Sequence, residues 1–264
     1  MWIDSHAHLN DEAFRDDYRQ VIAEMVANEI SAVIVPGYDL PSSERAVELA
    51  SQEPLVWAAV GIHPHDAKHW DSKTAARVEE LLREPKVVAL GEIGLDYHYN
   101  HSTREEQLAA FQSQLQLAGQ YNKPVIIHNR EAHQDTLDML RARSCSHRQH
   151  HNQDKAIWGV MHCYSGSLET AIECIKLGLM ISFAGAVTFQ NAAKLREVAA
   201  KLPLSKILVE TDSPYLSPHP FRGRRNEPAR VALIGAKLAE IKNLPIAEVM
   251  TATTANCRNL FKLL

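Results

Sequence analysis

Three polar residues at every second position open the chain: Asp4, His6 and His8 in the stretch IDSHAHL. In a strand, side chains at positions i, i+2 and i+4 point to the same side. If this stretch is a strand, a carboxylate and two imidazoles converge on one face, a donor set typical of Zn²⁺, Mn²⁺ or Fe²⁺. The alternative is one buried, hydrogen-bonded histidine beside a solvated one, so the rest of the chain has to decide.

Further acids and histidines stand where other buried, β-rich runs of the sequence end. They are His63 after the third run, Glu92 within the fourth, His128 and His162 at the ends of the fifth and sixth, and Asp212 at the end of the eighth. Burying so many ionisable groups is costly unless something compensates, and a divalent cation is the natural compensator. Four histidines (His6, His8, His128, His162) and two carboxylates (Glu92, Asp212) suffice for two divalent cations, with Glu92 shared.

Hydrolysis is the chemistry that such a centre supports. Two divalent ions about 3.5–4 Å apart activate a bound water and clamp the attacking and leaving oxygens of a phosphoryl group. Asp212 suits a general base or a water-orienting role. The sequence does not name the ion, and Mg²⁺, Mn²⁺ and Zn²⁺ remain open.

The residues of this centre must be positioned by an alternation of strands and helices. The predicted strands cover residues 2–8, 31–37, 55–63, 86–95, 124–128, 157–162, 179–185 and 206–212, and helical patterns such as 18–29 and 104–121 lie between them. Eight such units are the number that closes a (β/α)₈ barrel, whose active sites lie at the carboxyl ends of the strands. A doubly wound open sheet explains the alternation nearly as well, but no G-x-G-x-x-G turn follows the first strand. We predict a single domain, residues 1–264.

Two segments fall outside this alternation. Residues 144–155 are polar and predict a loop insertion, in which His147, His150 and His151 are more typical of a solvated loop than of a metal site. After the eighth helix (229–242), residues 246–263 predict an extra C-terminal helix packed on the outside of the barrel.

Composition argues against a broad nucleic-acid-binding surface. The formal net charge of the 264 residues is −4, so any phosphate binding must come from a local cluster. The positive residues near the predicted mouth of the barrel are Arg130, Arg222, Arg224 and Arg225. They predict a phosphate clamp, because arginine offers paired donors to phosphate oxygens, and a solvated basic loop is the alternative.

The sequence predicts a cytoplasmic protein. Asp4 and two histidines interrupt the N-terminus where a signal peptide needs an apolar run, and no uncharged apolar stretch is long enough to span a membrane. The four cysteines form no C-x-x-C pair, which indicates reduced thiols.

Seven motifs in order resemble those of the TatD family, metal-dependent hydrolases of the amidohydrolase superfamily. They are IDSHAHL, GIHPH, GEIGLDY, PVIIHNR, HCYSG, LVETDSPYL and RRNEP, and the resemblance runs from residue 3 to about residue 260. It implies a distorted TIM barrel with a two-metal site. It also implies a deoxyribonuclease, dependent on magnesium or another divalent ion, that trims DNA from its 3′ end.

The resemblance assigns a role to each matching position. It implies that His6, His8, Glu92 and Asp212 hold one metal and that Glu92, His128 and His162 hold the second. It implies that His63 contacts the scissile phosphate and that Asn226, with Glu227 and Pro228, shapes the substrate-binding rim. We expect a monomer whose partner is DNA, single-stranded or at 3′ ends, or a small phosphoester, with Asp212 and Glu92 as the catalytic residues.

Two other functions stay open at this point. One is a small-molecule hydrolase on the same barrel, cleaving a phosphoester, lactone or amide, because a fold does not fix a substrate. The other is a metal-stabilised binding protein, which predicts closed metal coordination with no open position.

Overall fold

Eight parallel strands form one sheet in chain order in the computed structural model, which describes residues 1–99, 101–150 and 157–263. The strands are Trp2–Asp4 (β1), Ile30–Pro36 (β2), Val56–Val60 (β3), Val87–Asp96 (β4), Val125–Arg130 (β5), Gly159–Met161 (β6), Leu179–Phe183 (β7) and Ile207–Val209 (β8). The eight predicted strands and the (β/α)₈ barrel are confirmed. The sequential order excludes the doubly wound sheet, in which the strand order reverses.

Helices follow the strands and form the outer layer. They are Tyr18–Ala27 (α1), Leu40–Gln52 (α2), Ser72–Leu81 (α3), Arg104–Gln120 (α4), His133–His150 (α5), Leu168–Lys176 (α6), Ala193–Lys201 (α7), Val231–Lys242 (α8) and Ile246–Phe261 (α9). Local sequence sets their ends; the side chains of Thr103 and Glu106 each accept the other's backbone N–H at the start of α4. None of the helices in the described ranges is both long and apolar enough to cross a bilayer.

The predicted loop at residues 144–155 is corrected in its first part. Helix α5 continues to His150, because no glycine or proline between His133 and His150 ends it. Residues 151–155 lie outside the described residues, as do the side chains of His147 and His150, so the histidine cluster stays untested.

Two apolar layers separate the inside of the barrel from its outside. Successive residues of a strand point to opposite faces. In β2, Ala32 and Ile34 belong to one buried cluster, whereas Val33 and Val35 pack with the helices. All eight strands contribute to the cluster that contains Ala32 and Ile34, so this cluster fills the barrel interior. Its strand residues are Ile3, Ala32, Ile34, Ala59, Val88, Ala89, Ile126, Val160, Met180 and Leu208.

The C-terminal helix α9 closes the barrel at the end where the strands begin. Cys257, Leu260 and Phe261 join the interior cluster. The Asn256 amide donates to the carbonyl oxygens of Leu204 and Ile207, both at 2.9 Å, at the start of β8. The extra helix is confirmed, but the expectation that it packs only on the outside is wrong, because its last turns plug the barrel.

The barrel closes where the chain that follows β1 meets the chain that follows β8. β1 and β8 are both shorter than predicted, so His6, His8 and Asp212 lie in the loops beyond them. These two loops run parallel and are joined by backbone hydrogen bonds from Ser5 N to Val209 O (3.1 Å), Asp212 N to His6 O (2.9 Å) and His8 N to Ser213 O (2.7 Å). The closure therefore brings residues from the two ends of the chain into one place.

Asp4 fastens this closure with its side chain. Its Oδ1 accepts the backbone N–H of Thr211 at 2.9 Å and of His6 at 3.2 Å, and its Oδ2 accepts the Thr211 hydroxyl at 2.5 Å. The sequence predicts that Asp4 supports and orients a ligand histidine; in the structure its carboxylate contacts the backbone N–H of His6 and not its imidazole.

We predict that Phe261→Ala destabilises the protein by about 3–5 kcal/mol, because the buried ring leaves a cavity between α9 and the barrel interior. Urea unfolding measures the change. Ile246→Ala, in the same helix and 54% exposed, is the matched control and should change the free energy of unfolding by less than about 0.5 kcal/mol. Equal losses in the two variants would contradict the plugging role of α9.

Candidate metal centre

An open cavity of about 750 Å³ lies at the end of the barrel where the strands stop. Its volume is in the range of small-molecule sites, about 300–1,000 Å³. Imidazoles and carboxylates dominate its walls: His8, His63, His65, Glu92, Asp96, His128, His162 and Asp212. These residues come from strands and loops throughout the barrel, so the fold brings together groups that are far apart in the sequence.

One group of ligand atoms lies at the closure of the barrel. The Nε2 atoms of His6 and His8 are 3.1 Å apart, and they lie 3.7 and 3.6 Å from Oδ1 of Asp212. Oε2 of Glu92 is 3.4 and 3.6 Å from the same two nitrogens. Ligands bonded at about 2.0–2.2 Å to one tetrahedral ion lie roughly this far apart. His6, His8 and Asp212 therefore fit a single divalent cation, and Oε2 of Glu92 lies close enough to the two imidazoles to join them.

A second group forms around the other oxygen of Glu92. Oε1 lies 2.7 Å from Nε2 of His162, 2.9 Å from Nδ1 of His128 and 3.5 Å from Nε2 of His63. The facing nitrogens of His162 and His128 are 3.4 Å apart. Glu92 forms one candidate ligand group with His63 and His128 and another with His162 and His6, so it is shared between groups that could hold a cation. The geometry also adds His63, expected to contact phosphate, to the candidate ligands.

The backbone of β4 directs Glu92 into this position. The pairing of β4 with β5 shifts register between Leu90 and Ile93, an irregularity of the kind that re-aims a side chain. Gly94 has φ +143°, and a Cβ there would lie 2.0 Å from the carbonyl oxygen of His128. Only glycine permits this approach, which keeps Glu92 beside His128.

The electrostatics of the cavity favour the metal-binding forms of Glu92 and His63 but not that of His162, because the charge of Glu92 outweighs burial and raises the pKa of His162 well above its usual value. Burial opposes ionisation of Glu92, but the imidazoles of His162 and His63 outweigh it and hold the pKa of this carboxyl well below its usual value. Burial, together with His128, lowers the pKa of His63 well below the usual range. A carboxylate and a neutral imidazole are the forms that coordinate a cation.

Asp96 supports the ring of His128 from behind. Its Oδ2 accepts from Nε2 of His128 at 3.0 Å and from Nε2 of His65 at 3.1 Å. A carboxylate in this position fixes the tautomer and orientation of a ligand histidine. Sequence reasoning gave Asp96 no role, although it stands four residues after Glu92 on the same face of β4 and could have been found by that spacing.

Glu210 supports His162 in a similar way. It is fully buried, and its Oε1 accepts the backbone N–H of Cys163 at 2.5 Å and lies 3.4 Å from Nδ1 of His162. Glu210 could have been found from the sequence, because it stands two residues before Asp212. Asp96 and Glu210 therefore contact ligand histidines but do not belong to the candidate ligand groups.

The predicted substrate-binding residues divide into two sets. Arg130 lines the cavity, with its guanidinium 4.8 Å from the centre of the Tyr99 ring. Arg222 and Arg224 are exposed on the loop after β8, outside the cavity lining, with guanidiniums 3.7 Å and 6.0 Å from the ring centres of Phe189 and Phe221.

Arg225 and Asn226 are not among the described residues that line the cavity. Arg225 forms a paired contact with the carboxylate of Asp17, at 2.6 and 2.9 Å. Asn226 is fully buried, and its amide donates to the carbonyl oxygens of Thr211 and Tyr215. The structure therefore gives both residues contacts that shape the loop after β8.

A model of the family described as TatD related DNase matches residues 3–262. The chain is 40% identical over 263 residues to the "Uncharacterized metal-dependent hydrolase YabD" of Bacillus subtilis, covering 100% of both chains. It is 36% identical to the "3'-5' ssDNA/RNA exonuclease TatD" of Klebsiella pneumoniae, covering 98% of this chain and 97% of that one. The crystal structure of YJJV, a TatD homologue from Escherichia coli, superposes with a TM-score of 0.91 at 32% identity, covering 100% of this chain and 98% of that one.

We predict that Asp96→Asn weakens binding of Mn²⁺ by about 10–100-fold. Oδ1 of Asp96 accepts the backbone N–H groups of His98 and Tyr99, so an amide that keeps these bonds has no second oxygen to accept from the imidazoles. Titration calorimetry on metal-free protein measures the affinity. Asp66→Asn is the matched control, since Asp66 lines the same cavity outside the ligand groups. Unchanged affinity in Asp96→Asn would contradict the supporting role of this carboxylate.

Proposed function

The chain belongs to the TatD-related DNase family of metal-dependent hydrolases, and we propose that it is a deoxyribonuclease that removes nucleotides from the 3′ end of DNA. The observation that carries the proposal is the placement of Glu92, whose two oxygens face two different groups of imidazoles. Such an arrangement suits a pair of divalent cations, the centre used by many enzymes that cleave phosphodiesters.

In this proposal, His6, His8, Glu92 and Asp212 hold one cation, and Glu92, His128 and His162 hold the other. When bound, two divalent cations lower the pKa of water and neutralise charge on the phosphate. Mg²⁺, Mn²⁺ and Zn²⁺ are the candidates. His63 faces Glu92 at 3.5 Å, so it is placed either to complete the second ligand set or to contact the phosphate.

Asp212 is the proposed proton acceptor. Burial opposes its ionisation, but the contact with His8 and the charges of His6 and His162 hold the pKa of this carboxyl below its usual value. It is therefore ionised at neutral pH and able to take a proton from the attacking water. Arg130, at the cavity wall, offers paired N–H donors to the phosphate.

The description of the family and the name of one relative support a nucleic-acid substrate, and the charge pattern supports a strand end over a long duplex. The Klebsiella pneumoniae relative is named as an exonuclease of single-stranded DNA and RNA. A net charge of −4 is unsuited to a long duplex, whose binding requires many cationic contacts, but a single arginine at the cavity suffices for a strand end.

We predict that single-stranded DNA labelled at its 5′ end is shortened progressively from the 3′ end in the presence of Mg²⁺ or Mn²⁺. EDTA should stop the reaction, because it removes the divalent cations on which the proposed cleavage depends. Gel electrophoresis follows the products. Failure to cleave with any divalent ion, alongside turnover of an ester or lactone panel, would favour the small-molecule hydrolase instead.

We predict that Glu92→Ala and Asp212→Ala each lower DNA cleavage by a factor of about 10²–10⁴. The metal content of the two variants should differ, because Glu92→Ala removes a proposed ligand of both cations, whereas Asp212→Ala removes a proposed ligand of one. Glu248→Ala, an exposed carboxylate on α9, is the control and should match the unaltered protein in both measurements. Near-normal turnover in Asp212→Ala would rule out its proposed role.

A further inference from the structure

Two tyrosines flank the closure side of the cavity. The ring centres of Tyr38 and Tyr215 lie 5.7 and 6.3 Å from the ring of His8. Tyr215 is 56% exposed, and its hydroxyl donates to Oδ2 of Asp11 at 3.3 Å. An exposed aromatic ring held at a ligand histidine provides a flat surface on which a nucleobase can stack.

The same side of the cavity carries uncompensated negative charge. Asp11 accepts from the Tyr215 hydroxyl there, and Asp66 lines the cavity close enough for its charge to act on Tyr38. Neither carboxylate forms an ion pair with any residue in the part of the chain that the structure describes. A second phosphate on this side would face two carboxylates, and no lysine or arginine among the described residues lines the cavity there.

The opposite side of the cavity carries a positive charge and an exposed aromatic ring. Arg130 is the one lysine or arginine among the described residues that line the cavity. Its guanidinium lies over the ring of Tyr99, which is 42% exposed. A cation above an exposed aromatic ring suits a phosphodiester followed by a base.

We propose that the cavity is polarised. The terminal nucleoside stacks on Tyr215 in the acidic half, formed by Asp11, Tyr38, Asp66 and Tyr215, and the remaining strand leaves over Arg130 and Tyr99. This inference rests on the proposed nuclease function. It has a consequence for specificity, because the acidic half accepts a nucleoside with a free 3′-hydroxyl and repels a terminal phosphate. Because the acidic half also repels the phosphate of a second nucleotide, it accepts a single nucleoside, and the strand is shortened by one nucleotide at a time.

The stacking is tested with two oligonucleotides labelled at the 5′ end, one ending in a normal nucleotide and one in an abasic residue. The protein should cleave the normal end with a kcat/KM about tenfold higher, the scale of one base–aromatic contact. Tyr215→Ala should remove this preference, whereas Tyr215→Phe, which keeps the ring, should retain it. Ile246→Ala, an exposed residue outside the cavity, is the control.

The exclusion of phosphate is tested with ends that carry a 3′-hydroxyl or a 3′-phosphate. The protein should prefer the hydroxyl by at least about tenfold, and the double variant Asp11→Asn, Asp66→Asn should narrow this ratio. Asparagine keeps the size of each side chain, and at position 11 it can still accept the N–H of Ala13.

The outcomes separate this inference from the function on which it rests. If the protein cleaves DNA but Tyr215→Ala keeps the full preference for a base, or the aspartate variant keeps the full preference for a hydroxyl, the polarised cavity is overturned and the nuclease stands. If no oligonucleotide is cleaved with any divalent ion, both are overturned.

Discussion

A single buried carboxylate organises this protein's centre. The two oxygens of Glu92 face different sets of imidazoles, so one side chain joins groups supplied by β4, β5 and the loops after β1, β3, β6 and β8. Burying that charge is costly unless it is compensated. The compensation explains why polar residues collect at the carboxyl ends of the strands, and why β4 tolerates an irregular register and a glycine packed against its neighbour.

Much of the fold and of the ligand set follows from sequence because both depend on local patterns. Alternating strands and helices give the barrel, and polar residues at strand ends give the candidate ligands. The plug formed by α9 could not be predicted, because an apolar helix face does not reveal which surface it covers. The partner of Arg225 was hidden for a similar reason, since Asp17 lies 208 residues away in the chain. The cytoplasmic location and the monomeric state stay predictions.

Average composition also conceals how charge is arranged. A chain with a net charge of −4 presents a cavity with an arginine over a tyrosine on one side and, on the other, carboxylates that have no ion-pair partner among the described residues. This separation is invisible in the sum because carboxylates and arginines far apart in sequence meet only when the barrel is complete. Local fields of this kind decide how a charged polymer approaches a site.

The closure that Asp4 stabilises affects both when the barrel can form during synthesis and how stable the closed barrel is. His8 and Asp212 are separated by most of the chain, yet they face each other at 3.6 Å across the joint of the ring. A growing chain has no such pair until its eighth strand has been synthesised and has docked against the first. A cation held there would stabilise the closed barrel, because opening the joint would release the ion and its binding energy would be lost.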